Sequence, residues 1–245
     1  MELKNEVSVI LNCYKRPHVL EKQLNAIKNQ SIKPKEILIW VNGSDQVNNF
    51  NFNILNSCKT AISNYNHGVW ARFAYALNAE SDYVCIFDDD TIPGSRWLEN
   101  CLNESKHKHA LYGTVGVIFH DLDYQKYQRF GWPNPNENPV KVDIVGHSWF
   151  FPKYFLSTFF KETEAKKSSI CGEDVHFSYS IQKYLGAETI VPAHPVNNKE
   201  LWGSTPEDSY KYGVDENAIS VNYHGSHFGE SLKHYHNKGF KLISL

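Results

Sequence analysis

The sequence lacks any apolar run approaching the ~20 residues that cross a bilayer, so no transmembrane segment is expected. Its first residues, MELKNEVSVILNCYKRP, set acidic side chains beside an apolar stretch of five residues, which argues against a signal peptide or an anchor there. A cationic surplus is missing too. With 25 Lys+Arg against 27 Asp+Glu, the formal net charge is −2 with histidines neutral. That removes the electrostatic case for a nucleic-acid binder and leaves membrane contact, if any, peripheral and through a local patch. Cysteines are few: Cys13, Cys58, Cys85, Cys101 and Cys171 are odd in number, scattered and free of CxxC pairs. They read as thiols of a reducing compartment, hence a cytoplasmic protein. No zinc-type His/Cys spacing, internal repeat or low-complexity linker is present. What is present, 41% apolar and 14% aromatic content in 245 residues, suffices for one large α/β unit or two small ones and excludes general disorder.

The order of patterns alternates between strand and helix. VSVILN at 7–12 is a short β-branched run closed by the turn Lys15-Arg16-Pro17, and Leu20, Leu24 and Ile27 follow at helical spacing. EILIWVN at 36–42 then completes a βαβ unit, whose nearly all-apolar strands suit a parallel sheet covered on both faces. An Asn-rich, weakly periodic stretch runs from Asn42 to Asn66. Beyond it Trp70, Phe73, Ala74 and Leu77 share one helical face. DYVCIFDDD at 82–90 is a buried-strand pattern ending in three carboxylates, PGSRWLENCLN at 93–103 is helical, and YGTVGVIF at 112–119 is a fourth strand. Residues 120–142 read as a long excursion loop. VDIVGHSWFF at 142–151 is strand-like, and Pro152–Phe160 is a helix candidate. GEDVHFSYSIQKYLG at 172–186 is the clearest helix, with two acids in its first turn and a closing Gly186. ETIVPAHP at 188–195 supplies a short strand, and the remainder reads as loops and short helices. The pattern predicts an α/β domain of mainly parallel sheet, with ligands at the carboxyl ends of its strands.

Asp88, Asp89 and Asp90 repel one another at the end of an apolar strand and need a cation or solvent to offset them. In an extended segment Asp88 and Asp90 point one way and Asp89 the other, which makes a DxD pair suited to Mg²⁺ or Mn²⁺. The alternative is an acidic cap on the following helix. The first-strand VSVILNCYKRP, the second-strand end VNGSD, HGVWARFAYALNAESDYVCIFDDDTIPGSRWLENCL and GEDVHFSY together resemble a GT-A glycosyltransferase, most like the family 2 type, over roughly residues 5–195.

The resemblance implies a Rossmann-like GT-A catalytic domain over 1–195. Its nucleotide-sugar half covers about 1–92 and its acceptor half about 93–195, with a C-terminal extension over 196–245 packed on the same domain. It implies that Asn12, Tyr14 and Arg16 hold base and ribose, although Arg16 can equally be a solvated loop charge. Where the family's second strand commonly ends in an acid, this chain has Asn42, then Asp45, and either can take that part. Arg72 is placed to meet phosphate or a uracil carbonyl, or to form a surface ion pair. Asp88 and Asp89 fall on the donor side, with Asp88 on ribose or a metal-bound water and Asp90 on the metal itself. Asp174 matches the family's base toward the acceptor hydroxyl, with Glu173 hydrogen-bonding acceptor or backbone. A late histidine can complete the metal shell. Among His194, His224, His227, His234 and His236, the segment HGSHF favours His224 slightly over His227, beside the plain alternative of a polar loop histidine. Gly146-His147-Ser148-Trp149 resembles the stretch beneath donor sugar and acceptor, where Trp149 stacks on a pyranose or belongs to the core. Trp132, Trp202 and Tyr210 are candidates for the acceptor cleft. The implied activity is metal-dependent transfer of a sugar from a nucleotide diphosphate donor, UDP by preference, to a glycan hydroxyl in polysaccharide or glycoconjugate synthesis. Inversion is favoured. A retaining, exostosin-like enzyme, a sugar-phosphate nucleotidyltransferase and a non-catalytic sugar-binding module are the alternatives. NCYKRP lacks the Gly-rich loop usual in nucleotidyltransferases.

Overall fold

The computed structural model describes residues 3–43, 47–162, 171–215, 218 and 226–245. A nine-stranded sheet runs through these residues in the order β3-β2-β1-β4-β8-β5-β9-β7, with β6 pairing β5 beside β9. Its first half is wholly parallel. Strands β1 (Val7–Cys13), β2 (Glu36–Asn42), β3 (Lys59–Ser63) and β4 (Tyr83–Phe87) lie side by side with regular register. All five residues of β4 are buried, as expected for a strand with helices on both faces.

The second half is mixed. Strand β8 (Ile144–Pro152) runs antiparallel to both β4 and β5 (Leu111–Phe119), and β9 (Thr189–Val191) runs parallel to β5. The stretch 120–142, expected to be a loop, contains β6 (Tyr127–Gly131) and β7 (Val140–Val142). Both are edge segments held by pairing to β5 and β9, and β6 exposes polar residues on a weak alternation, which is why periodicity misses it. Likewise the Asn-rich segment holds a short helix, α2 (Phe52–Asn56), and the edge strand β3.

Apolar side chains pack on each face of the sheet. Helices α1 (Pro17–Lys28) and α4 (Trp97–Ser105) cover one face, contributing Leu20, Leu24, Ile27, Trp97 and Leu98 to its core. Helices α3 (Ala71–Tyr75), α5 (Leu156–Phe159) and α6 (Glu173–Leu185) cover the other through Phe73, Phe159, Phe177 and Ile181. The face expected for 70–77 is corrected. After Tyr75 the chain tightens into a 3-10 turn over Ala76–Asn78, so the three-residue spacing Trp70, Phe73, Ala76 is buried while Leu77 is exposed. The C-terminal region, expected as loops and short helices, forms α7 (Pro206–Tyr212) and the longer α8 (Ser226–Asn237). Leu232 and Tyr235 of α8 share a core cluster with Val175 and Tyr179 of α6. Among the described residues no helix is long and apolar enough to cross a membrane.

Candidate active site

A cavity of about 610 Å³ opens at the carboxyl ends of β1 and β4. Its wall includes Asn12, Tyr14, Arg16, Asn42, Arg72, the three aspartates Asp88–Asp90, Gly146, His147, Trp149, Glu173 and Asp174. Asp45 and His224, expected respectively near the nucleoside and on a metal, lie outside the described residues.

The acidic triplet owes its arrangement to a turn. Strand β4 ends at Phe87, and the amide of Thr91 donates to the carbonyl of Asp88 at 3.2 Å, so strand alternation does not set the geometry. Gln23 of α1 pins that turn by donating from Nε2 to the carbonyls of Asp88 and Thr91 at 2.6 and 2.9 Å. Asp89 turns toward the loop after β1, accepting from the amide of Tyr14 at 2.9 Å and from Arg16. Asp88 and Asp90 face His147, and one ligand atom from each of the three can be chosen so that all lie within 4.8 Å of one another.

His147 reaches this position because β8 is irregular. Between Gly113 and Val115 of β5 the facing residues on β8 advance from Trp149 to Gly146, one extra residue that constitutes a bulge. His147 takes up the bulge with φ +64°, left-handed backbone that a side-chain-bearing residue seldom adopts outside functional sites. Its carbonyl accepts from the amide of Asp88 at 3.0 Å, tying β8 to the acidic turn. The sequence reading placed His147 beneath the sugars and did not group it with Asp88 and Asp90. The available signal was Gly146, since a glycine inside a strand pattern marks a bulge or a close approach. Of the late histidines, His194 is buried and bonded to the Pro192 carbonyl and the Gly203 amide, and none of His194, His227, His234 and His236 lines the cavity.

Two arginines on the parallel-sheet side are already occupied. Arg16 pairs with Asp89, lies 3.4 Å from Asp90, and meets Asp215 from Nε and Nη2 at 2.9 and 2.7 Å. Arg72, 3% exposed, joins Asp88 on one terminal nitrogen and Glu173 on the other at 2.5 Å, with its guanidinium carbon 4.4 Å from the Trp149 ring centre. It is therefore a bridge between β4 and α6 in place of the surface pair weighed above. Asn42 is buried, and both ends of its amide hold the loop at 66–68, through Asn66, His67 and Gly68. Trp149 serves both expectations, since it is 2% exposed yet contributes to the cavity wall. Trp132, Trp202 and Tyr210 do not line this cavity. Trp202 packs with Val115 and Trp132, and its indole nitrogen donates to the Pro195 carbonyl at 2.8 Å.

The start of α6 depends on Gly172. Its φ is +101°, and a Cβ there would stand 2.6 Å from the Ser231 hydroxyl of α8, so the glycine permits close approach of the C-terminal helix. Glu173 and Asp174 follow in the first turn, and Asp174 Oδ1 accepts from the Val175 amide at 2.7 Å.

Burial dominates the titration of these groups. It pushes Asp89 up to about 7 against the pull of Arg16. It raises Asp90 too, with Asp88 adding to the effect. Glu173 rises to about 8, again by burial, because the Arg72 charge that opposes it is shared with Asp88. Asp174 rises to about 6 for the same first cause, and burial lowers the His147 imidazole, favouring its neutral, ligating form. Asp90 pairs with Arg16 at 3.4 Å, a cation it shares with Asp89 and Asp215, and it stands beside a second carboxylate and a neutral imidazole. That donor set fits a divalent cation, and its imidazole suits Mn²⁺ better than Mg²⁺.

The family model for glycosyl transferase family 2 matches residues 8–167, about two-thirds of the chain. The sequence matches no curated protein. Among solved structures, S. aureus TarS superimposes with a TM-score of 0.56 at 18% identity, over 96% of this chain and 44% of that one. TarS 1–349 in complex with UDP gives 0.53 at 18% identity, over 97% and 72% of the two chains, and TarS 1–349 alone gives 0.52 at 18%, over 96% and 72%. This chain thus spans less than half the length of the first of these structures, and the likeness speaks to the GT-A fold. With the family model matched across most of its sheet, the chain belongs to glycosyl transferase family 2.

Proposed function

We propose that the protein is a metal-dependent glycosyltransferase that moves a sugar from UDP onto a glycan hydroxyl with inversion, in polysaccharide or glycoconjugate synthesis. The observation that carries the proposal is the meeting of Asp88, Asp90 and His147 with Asp174 in one cavity at the carboxyl ends of the parallel strands. UDP as carrier is supported by the complex of the structural neighbour TarS 1–349.

Asp88, Asp90 and His147 would hold Mn²⁺ or Mg²⁺, which when bound neutralises charge on the departing diphosphate. Asn12 and Tyr14, at the junction of β1 and its loop, line the wall where a uracil edge would lie, with the Tyr14 amide already given to Asp89. Arg16 holds the β1 loop to Asp89, and Asn42 shapes the wall through the 66–68 loop. Asp174 takes the proton of the acceptor hydroxyl as that oxygen bonds to the anomeric carbon and the bond to the diphosphate breaks. Glu173, clamped by Arg72, fixes the first turn of α6 and so the position of Asp174.

The test is a screen of nucleotide sugars for Mn²⁺-dependent thermal stabilisation, followed by assay of UDP release with Mn²⁺ and with EDTA. Metal-dependent UDP release with an inverted product is expected. Pyrophosphate release would indicate nucleotidyl transfer instead, and glycan binding without donor consumption a non-catalytic module. A product of unchanged anomeric configuration would overturn the role given to Asp174.

A further inference from the structure

Arg129 differs from the other arginines of the cavity. Arg16 and Arg72 are each held by two or more carboxylates. Arg129, on β6, also lines the cavity, yet among the described residues it forms no ion pair. Its side chain donates from Nε to the Trp132 carbonyl at 3.2 Å, and its guanidinium carbon lies 5.3 Å from the Trp132 ring centre. Burial lowers its pKa, the phenols of Tyr124, Tyr127 and Tyr210 oppose that effect with no carboxylate among them, and His147 is a further titratable neighbour. A half-buried guanidinium is strongly favoured beside an anion, and its planar fork matches carboxylate or phosphate. No anion of the described chain supplies that partner.

Its location restricts which anion would. Arg129 pairs in register with Val117 of β5, which also lines the cavity, and the Trp132 ring it approaches lies 5.7 Å from the His147 ring, centre to centre. Arg129 thus stands on the mixed half of the sheet near the His147 cluster, in the cavity that also holds Asp174, whereas the paired arginines belong to the loop after β1 and to α3. On the functional reading above, on which this inference rests, that region receives the transferred sugar and the acceptor hydroxyl. We infer that Arg129 recognises an anionic substituent, a carboxylate or a phosphate, carried by the transferred sugar or by the acceptor.

The experiment has a donor arm and an acceptor arm. In the first, the affinities of UDP, UDP-glucose and UDP-glucuronate are measured with Mn²⁺ present. In the second, methyl glucoside is compared with its uronate and phosphate counterparts as acceptor. A charged member favoured by about ten- to a hundredfold in one arm is expected, with the preference lost in Arg129→Gln, retained in part in Arg129→Lys, and UDP affinity the same in all three proteins. The arm that responds identifies the carrier of the charge. Absence of a charge preference in both arms of the wild type would overturn the inference without any variant. Equal weakening of UDP itself in Arg129→Gln would overturn it too, by placing the arginine on the leaving diphosphate. If UDP failed to bind the wild type, the functional reading would fall and this inference with it. If UDP bound and neither arm showed a preference, only the inference would fall.

Discussion

The two halves of the sheet bring different material to the same cavity. The parallel half, β3-β2-β1-β4, has unbroken register and ends in loops whose acids outnumber their cations, with Arg16 and Arg72 each shared among carboxylates. The mixed half carries a bulge, a left-handed histidine and an arginine without a carboxylate. Regular parallel strands build a preformed platform, whereas an antiparallel strand can be bent by one residue to aim a single side chain. On the proposed function the first half holds the nucleotide and the second, with α6, governs transfer. Arg72 joins them, since its guanidinium ties Asp88 of the β4 turn to Glu173 of α6.

The largest effect tests that division. Asp174→Asn keeps the size of the side chain and removes the proton acceptor, so the turnover rate should fall by about 10²–10⁴ while UDP affinity, measured by calorimetry, stays within about twofold. A parallel loss of UDP affinity would mean that the halves are not separable. Arg72→Met attacks the joint itself. At pH 9, above the value of about 8 to which burial lifts Glu173, it leaves the partly buried Asp88 and the buried Glu173 without their shared cation, a cost of ~3–5 kcal/mol in denaturant unfolding. A change below ~1 kcal/mol would mean that Glu173 is bound as the neutral acid and that the joint is a hydrogen bond only.

Much of the parallel half was legible because buried strands announce themselves. EILIWVN coincides with β2, and the helix at 173–185 was bounded by Gly172 and Gly186 as its sequence suggests. The mixed half was harder to read for a physical reason. Strands β6 and β7 exist because β5 and β9 offer hydrogen-bonding edges, and their own residues carry little apolar alternation. The site followed the same rule. Asp88, Asp90, Glu173 and Asp174 stand out as clustered acids, but Arg72 shows its role only when its two partners, 16 and 101 residues away in sequence, are brought to it. The nearness of His147 to Asp88 and Asp90 has no sequence signal of its own, because a bulge is a property of two paired strands and not of either one alone.

The titration of Asp174 gives a smaller, graded effect. Burial lifts its carboxyl to about 6, and only the ionised form can accept a proton from the acceptor. The rate at saturating donor should therefore climb as pH rises through about 6 and level off above it. The climb should vanish from the residual activity of Asp174→Asn. A rise centred near the ordinary carboxylate range, or one that survives in the variant, would assign the base to another group.

The smallest effect separates what His147 does from how its backbone is held. Both His147→Ala and His147→Gly remove the imidazole, so each should weaken Mn²⁺ binding, followed by thermal shift against metal concentration, by roughly tenfold or more. They differ only in backbone. Alanine at φ +64° keeps the left-handed strain and glycine relieves it, so the glycine variant should be the more stable by ~1 kcal/mol in the metal-free state, less whatever glycine adds to the freedom of the unfolded chain. If the two variants unfold alike while both lose the metal, the bulge is held without strain by its neighbours, and the irregularity of the mixed half has no energetic signature at this residue. If alanine is the less stable and Mn²⁺ affinity falls in both, the strain at β8 and the metal site share one origin: the extra residue that turns His147 toward Asp88 and Asp90.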